Sequence, residues 1–251
     1  MARDVEKYIH DMIQKKGAIQ MTLLDPQKTK AGACTAIAVE AEKAGTSAIM
    51  VGGSTLASNS DLDDVVRDIK EKVDVPLILF PNNVSGVSRY ADAIWFMTLL
   101  NSSSSYYHFD VQALTAPLVK RLGIETLPMG YIIIGDGGAA GYIGQARGIP
   151  YDHPELALGY SLAAETLGMR FVYLEAGSGA KEPVPPEMIA LVKKYLDIPL
   201  IVGGGLRSGE SAIAAVKAGA DIIVTGTLAE ETERVRERIR EIVSSIETKG
   251  M

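Results

Sequence analysis

Cysteine is nearly absent: Cys34 is the only one in 251 residues. No disulfide can close within the chain and no cysteine cluster can hold a metal, which fits an intracellular, cytoplasmic protein. Long apolar runs are lacking too. The longest, Ala93–Leu100, falls far short of the ~20 residues that span a bilayer. The opening MARDVEKYIH is charged and has no signal core. There is no basic block, and the net charge is −6. A nucleic-acid surface needs clustered Lys and Arg, so no nucleic-acid partner is expected. GxGxxG and Walker A patterns do not occur. His10, His108 and His153 are scattered, with no Asp or Ser at triad-like spacing. No lysine sits within a predicted strand, which counts against a Schiff-base aldolase.

What is present points to one large domain, residues 1–251, with 47% hydrophobic content. Short apolar runs alternate with helical spacing. Strands are predicted at Ala18–Leu24, Ala48–Val51, Pro76–Phe80, Ala93–Leu100, Thr126–Ile134, Phe171–Leu174, Pro199–Val202 and Ile222–Val224. Helices are predicted over 4–16, 31–44, from Asp61 as N-cap to about 72, and over 111–122, 154–167, 186–195 and 228–246. Gly135–Gly148 reads as a long glycine-rich loop. Eight strands alternating with helices predict a (β/α)8 barrel. An internal echo agrees: Ala44-Gly45, Leu167-Gly168 and Ala218-Gly219 each precede a strand at the same spacing. One unit breaks the pattern. Only twelve residues, Pro81–Asp92, separate strands 3 and 4. A helix with two loops does not fit there, so the barrel is expected to lack its third helix or replace it with a short segment.

Glycine marks the site. Gly203-Gly204-Gly205 and Gly226-Thr227 each follow a strand and precede a helical stretch. Such turns aim backbone N–H groups at an anion, and after strands 7 and 8 of a barrel they form its phosphate site. Strand 6 runs into Tyr173-Leu174-Glu175-Ala176-Gly177-Ser178-Gly179, which adds N–H donors and one carboxylate. Tyr173 and Glu175 share a strand face. If that face is the interior, Glu175 suits a general base for a hydroxyl nucleophile; otherwise it is a buried acid holding loop backbone. Asp25 ends strand 1 and Ser54 follows strand 2, hard oxygen donors of the kind Mg²⁺ takes. They read equally as a turn aspartate and a helix N-cap. Lys28, just after Asp25, reads either as a contact to a second phosphate or as an exposed lysine.

Seven segments together resemble the geranylgeranylglyceryl phosphate synthases and their heptaprenylglyceryl relatives. They are MTLLDPQK at 21–28, VGGS at 51–54, FMTLLNS at 96–102, MGYIII at 129–134, YLEAGSGA at 173–180, VGGGLRSGE at 202–210 and ADIIVTGT at 220–227. The resemblance implies a barrel lacking a normal third helix, and prenyl transfer from geranylgeranyl diphosphate to the C3 hydroxyl of sn-glycerol 1-phosphate. It places the glycerol phosphate on Tyr173–Gly179, Gly204, Gly205, Gly226 and Thr227. It places Mg²⁺ on Asp25 and Ser54, and the base at Glu175. A heptaprenyl donor, or another phosphate-binding barrel reaction, is the alternative. The family often carries an acid where this chain has Gln27. The resemblance also implies a homo-oligomer, dimeric or hexameric, for which Tyr142 is the candidate contact. Ala93, Trp95 and Met97 share one face of strand 4. If that face points outward, Trp95 floors the prenyl track and limits chain length; the other reading is a core aromatic.

Overall fold

A computed structural model describes residues 4–29, 31–53, 59–226 and 234–247. Ser54, Thr227 and the start of the helix expected over 228–246 lie outside them. The elements follow in the order α1 (Val5–Lys16), β1 (Ile19–Leu24), α2 (Ala31–Ala44), β2 (Ala48–Val51), α3 (Asn59–Lys70), β3 (Leu77–Leu79) and β4 (Ala93–Leu99). After a π-helical turn at Tyr106–Asp110 come α4 (Val111–Leu122), β5 (Glu125–Ile133), α5 (Gly138–Ile143), α6 (Pro154–Thr166) and β6 (Phe171–Glu175). The chain continues through α7 (Pro186–Tyr195), β7 (Leu200–Gly203), α8 (Gly209–Ala218), β8 (Ile222–Thr225) and α9 (Val235–Glu247). All eight strands are parallel and close into a barrel in sequence order.

Most strand residues are buried, on both faces of the sheet. One face, including Met21, Met50, Ile78, Trp95, Met129, Phe171 and Ile201, fills the interior. The other packs against the helices, as Ile49, Leu77, Ile94, Val172 and Leu200 do. Helix α1 inserts Val5 and Ile9 into the interior layer and closes the N-terminal end. Its first N–H groups, on Val5 and Glu6, donate to the Glu125 carboxylate at 2.6 and 2.9 Å, a placement that suits the positive end of a helix.

The expected gap is there: no helix lies between β3 and β4. Two expectations shift. Helix α3 begins at Asn59, so Asp61 falls in its first turn rather than at its cap. The glycine-rich 135–148 run holds the short helix α5. Its entry is shaped by Asp136, whose carboxylate accepts the Gly138 N–H at 2.9 Å, and by Gly137, at φ 66° and pressed on Ile133 where a side chain would collide.

The sequence echo extends into the structure. Ile49 pairs with Leu77 between β2 and β3 as Val172 pairs with Leu200 between β6 and β7, at identical sequence spacing. Glu42 accepts the Asp74 and Val75 N–H groups; Glu165 accepts those of Asp197 and Ile198. Lys70 bonds Asp92, which also accepts the Leu77 N–H; Lys193 bonds Asp221, which accepts that of Leu200. The two half-barrels use the same polar staples.

Candidate active site

At the C-terminal end of the strands, Glu175 closes β6 with its carboxylate buried, 6% exposed. Tyr173 precedes it on the inward face, so the interior placement required of a base is met. The carboxylate accepts the Gly177 N–H at 2.6 Å, and the phenols of Tyr131 and Tyr173 are its electrostatic neighbours. Burial pushes Glu175 above the ordinary carboxylate range, and these three groups pull the other way. Both phenols are driven well above theirs, first by burial and then by the Glu175 charge. Gly204 stands so close that a β-carbon there would lie 2.6 Å from Glu175 Oε1.

Beside this carboxylate lies a glycine-rich pocket, bordered by Tyr173, Glu175, Ser178, Gly179, Gly204, Gly205 and Gly226. Gly177, Gly179, Gly204 and Gly205 all have positive φ, between 71° and 108°. This turns their backbone to the pocket side at no steric cost. Of the predicted phosphate-site residues, Tyr173, Glu175, Ser178, Gly179, Gly204, Gly205 and Gly226 converge on this pocket, and two do not. Leu174 and Ala176 point the other way, into the layer beneath the helices, because strand alternation sends every second residue outward. The pocket also takes in Leu23, Leu206, Arg207, Val224 and Thr225, which sequence reasoning missed. Arg207 had a signal, standing between the glycine turn and α8; it donates to the Gly179 carbonyl at 3.0 Å.

Asp25 is buried just after β1. Its Oδ1 accepts the Gln27 N–H at 3.0 Å, and Lys28 Nζ lies 3.8 Å from Oδ2. The same ammonium donates to Ser178 Oγ at 3.1 Å, tying the β1 turn to the β6 turn. Gly53 backs onto the Asp25 carboxylate so tightly that a β-carbon would collide with it. Among the described residues no three His, Cys, Asp or Glu converge. A metal here would draw its protein charge from Asp25 alone. That suits Mg²⁺, which binds through one or two carboxylates and completes its shell with water and phosphate oxygens.

Where the third helix is missing, an apolar groove runs along β4. Phe80, Trp95, Phe96 and Met97 line it, α4 contributes Val111 and α5 contributes Ile143. Tyr131 forms the end nearest Glu175. The outward placement of Trp95 is corrected: Ala93 and Trp95 face the barrel interior, and Ile94 faces the helices. Trp95 is fully buried, edge-on to Phe171 at 5.1 Å, and only its margin borders the groove. The histidines stay away from the site. His10 lies on Phe171 at the barrel's closed end, and His153 bonds Glu155.

The fold and site define a (β/α)8-barrel enzyme that pairs a glycine-lined pocket at the strand ends with an apolar groove. Residues 10–246 match the PcrB family, and the chain belongs to that family. It is similar to the geranylgeranylglyceryl phosphate synthase of Methanothermobacter thermautotrophicus, 52% identical over 242 residues, covering 96% of this chain and 98% of that one. The synthase of Thermococcus gammatolerans is 53% identical over 245 residues, with 96% and 97% covered. The crystal structure of (S)-3-O-geranylgeranylglyceryl phosphate synthase from Thermoplasma acidophilum, in complex with substrate sn-glycerol-1-phosphate, superposes with a TM-score of 0.92. It is 44% identical, covering 96% of this chain and 98% of that one.

Proposed function

We infer that the chain transfers a geranylgeranyl group from geranylgeranyl diphosphate to the C3 hydroxyl of sn-glycerol 1-phosphate. The observation that carries this reading is the position of Glu175. Its buried carboxylate borders the glycine-rich pocket with Tyr173, whose ring meets that of the groove-lining Tyr131 edge to face at 5.2 Å. The phosphate of the acceptor sits on the Gly177–Gly179, Gly204-Gly205 and Gly226-Thr227 turns, held by N–H groups, with Arg207 at the rim. This lets a protein of net charge −6 bind an anion locally. The prenyl tail lies along β4 against Phe96, Met97 and Val111.

With both substrates seated, the C3 oxygen attacks C1 of the prenyl chain. The C1–O bond to diphosphate breaks and an ether C–O bond forms. Glu175 takes the hydroxyl proton. The faces of Phe80 and Tyr131 border the carbon on which positive charge develops, where an aromatic ring is favourable. Asp25, with Ser54, would hold Mg²⁺, whose charge neutralises the leaving diphosphate. Lys28 adds a positive charge between Asp25 and Ser178. The functional unit is a homo-oligomer working in the cytoplasm.

The test is incubation with sn-glycerol 1-phosphate and prenyl diphosphates of several lengths, with products identified by mass. A C20 monoether phosphate is the expected product. Preferential use of a seven-unit donor would move the chain to the heptaprenyl reaction, and no ether with any donor would reject prenyl transfer.

A further inference from the structure

Strand β4 pairs with β5 to its last residue, Leu99 opposite Tyr131, and the Leu100 N–H still donates to the Tyr131 carbonyl at 2.9 Å. Continuing that register would set Asn101 opposite Ile133, but the backbone has turned away. The Asn101 carbonyl accepts the Arg147 N–H at 2.7 Å instead. The Asn101 side chain takes the place of the missing strand residue. Its Oδ1 accepts the Ile133 N–H at 3.1 Å, and its Nδ2 donates to the Ile133 carbonyl at 2.9 Å. Nδ2 also donates to the Arg147 carbonyl at 3.0 Å. Asn101 is 1% exposed. A primary amide on a short stem is the side chain that supplies an acceptor and two donors at such a buried point. It ties together the two ends of the segment that carries α5: Ile133, where the chain leaves β5, and Arg147, where it returns.

The two ends are supported differently. At the entry, Gly137 is pressed on Ile133 and packed against Gly177 of the β6 turn. The exit end is bonded to three successive residues beyond β4. Besides Asn101, Ser102 Oγ donates to the Gly144 carbonyl at 2.6 Å. Ser103 donates to the Gln145 carbonyl through its N–H and its hydroxyl, each at 2.9 Å. This is the end that faces the groove: Ile143 and Gly144 line it, and Gly144 closes on Leu99 with no room for a β-carbon. We propose that Asn101 is a positioning residue for the prenyl chain: by pinning Ile133 to Arg147 it holds the exit end of α5 as the wall of the groove. The inference rests on the reading of the groove as the prenyl site. Removing the amide leaves backbone groups of Ile133 and Arg147 without this partner, and the groove wall loosens. The glycine-rich pocket is built from β1, β6, β7 and β8 with their turns, and it keeps its shape.

The test compares Asn101→Ala, Asn101→Asp and Ser102→Ala with the wild-type chain, measuring KM for geranylgeranyl diphosphate, kcat, and the Kd of sn-glycerol 1-phosphate. Asn101→Ala raises the prenyl KM about tenfold, while kcat stays within about threefold and the Kd within about twofold. Asn101→Asp keeps the acceptor for the Ile133 N–H but sets an oxygen against two carbonyls, so its prenyl KM rises at least as far. Ser102→Ala removes the bond to Gly144 and raises that KM about threefold; it decides the matter if neither Asn101 variant folds. Hydrogen exchange over residues 144–147 reads the pin without substrate: it quickens in Asn101→Ala, while the barrel strands keep their protection. A prenyl KM within about twofold of wild type in a folded Asn101 variant would overturn the proposal even if its melting temperature falls, leaving Asn101 as a fold residue. So would an unchanged KM in Ser102→Ala where that variant decides, a loss confined to kcat, or unchanged exchange over 144–147. A wild-type chain that makes no ether with any prenyl donor would instead remove the prenyl reading, and this proposal with it.

Discussion

At the scale of single residues, the two carboxylates of the site have been given different surroundings. Glu175 lies among two phenols and one N–H donor, in a pocket where burial favours its neutral form. A base that resists ionisation binds a proton well once it is formed, which suits it to take one from a hydroxyl. Asp25 instead accepts a backbone N–H and stands near the Lys28 ammonium. Their separation predicts separable losses. Asp25→Asn removes the anionic ligand for Mg²⁺, and turnover should fall at least a hundredfold, the scale of several kcal/mol of charge stabilisation. Affinity for sn-glycerol 1-phosphate should change little, because its pocket is built from glycine backbone on β6, β7 and β8. Calorimetric titration of the variant with that ligand, beside a turnover assay, checks both halves. Undiminished wild-type turnover in EDTA would contradict the role given to Asp25.

At the scale of elements, β4 carries the sharpest consequence. Trp95 is wedged in the barrel interior, yet its margin borders the groove, and its Nε1–H has no hydrogen-bond partner among the described residues. Trp95→Ala should therefore act twice. It should cost about 3–5 kcal/mol of stability, as other large-to-small core changes do. The space it opens lies along the groove, so longer prenyl diphosphates should gain relative to the C20 donor. Each extra buried methylene is worth about 0.8 kcal/mol. Melting curves and the product ratio across donor lengths separate the effects; an unchanged ratio in a folded variant leaves Trp95 as core alone. The misplaced face of β4 shows where sequence reading stops. Parallel strands in a barrel are buried on both sides, so they read as continuous apolar runs and alternation does not say which face is inside. Tyr131 escaped notice for that reason, since MGYIII is apolar around it. The strands, their glycine-rich exits and the absent helix were legible, because each depends on local chain chemistry or on length. So was Glu175, a lone acid at the end of a buried run. The convergence of Arg207, Leu23 and Thr225 was not, because it depends on how the ends of β1 and β8 and the turn after β7 meet over one pocket. Helix α5 was hidden by its glycines, whose low helix propensity is overruled by packing on Ile133.

For the whole molecule, the missing helix changes what the barrel can do and what it exposes. The groove needs walls, and α4 with its preceding turn and α5 supply them. Both walls carry large apolar side chains to the surface: Phe109 at 70% exposure, Leu114 at 65% and Tyr142 at 88%. Among the described residues no helix is long and apolar enough to cross a membrane. We expect these residues to be covered by further copies of the chain, with Tyr142 as the anchor, since buried tyrosines are enriched among the residues that dominate such contacts. An anchor of this kind is worth about 2 kcal/mol or more. Tyr142→Ala should then weaken assembly by about thirtyfold or more, and light scattering at micromolar concentration should shift toward smaller species. Glu175, Tyr131, Asp25 and the glycine turns all come from one chain, so turnover per chain should largely survive. A wild-type chain that scatters as a monomer at that concentration would contradict the assembly. An oligomer that Tyr142→Ala leaves intact would move the contact to another face.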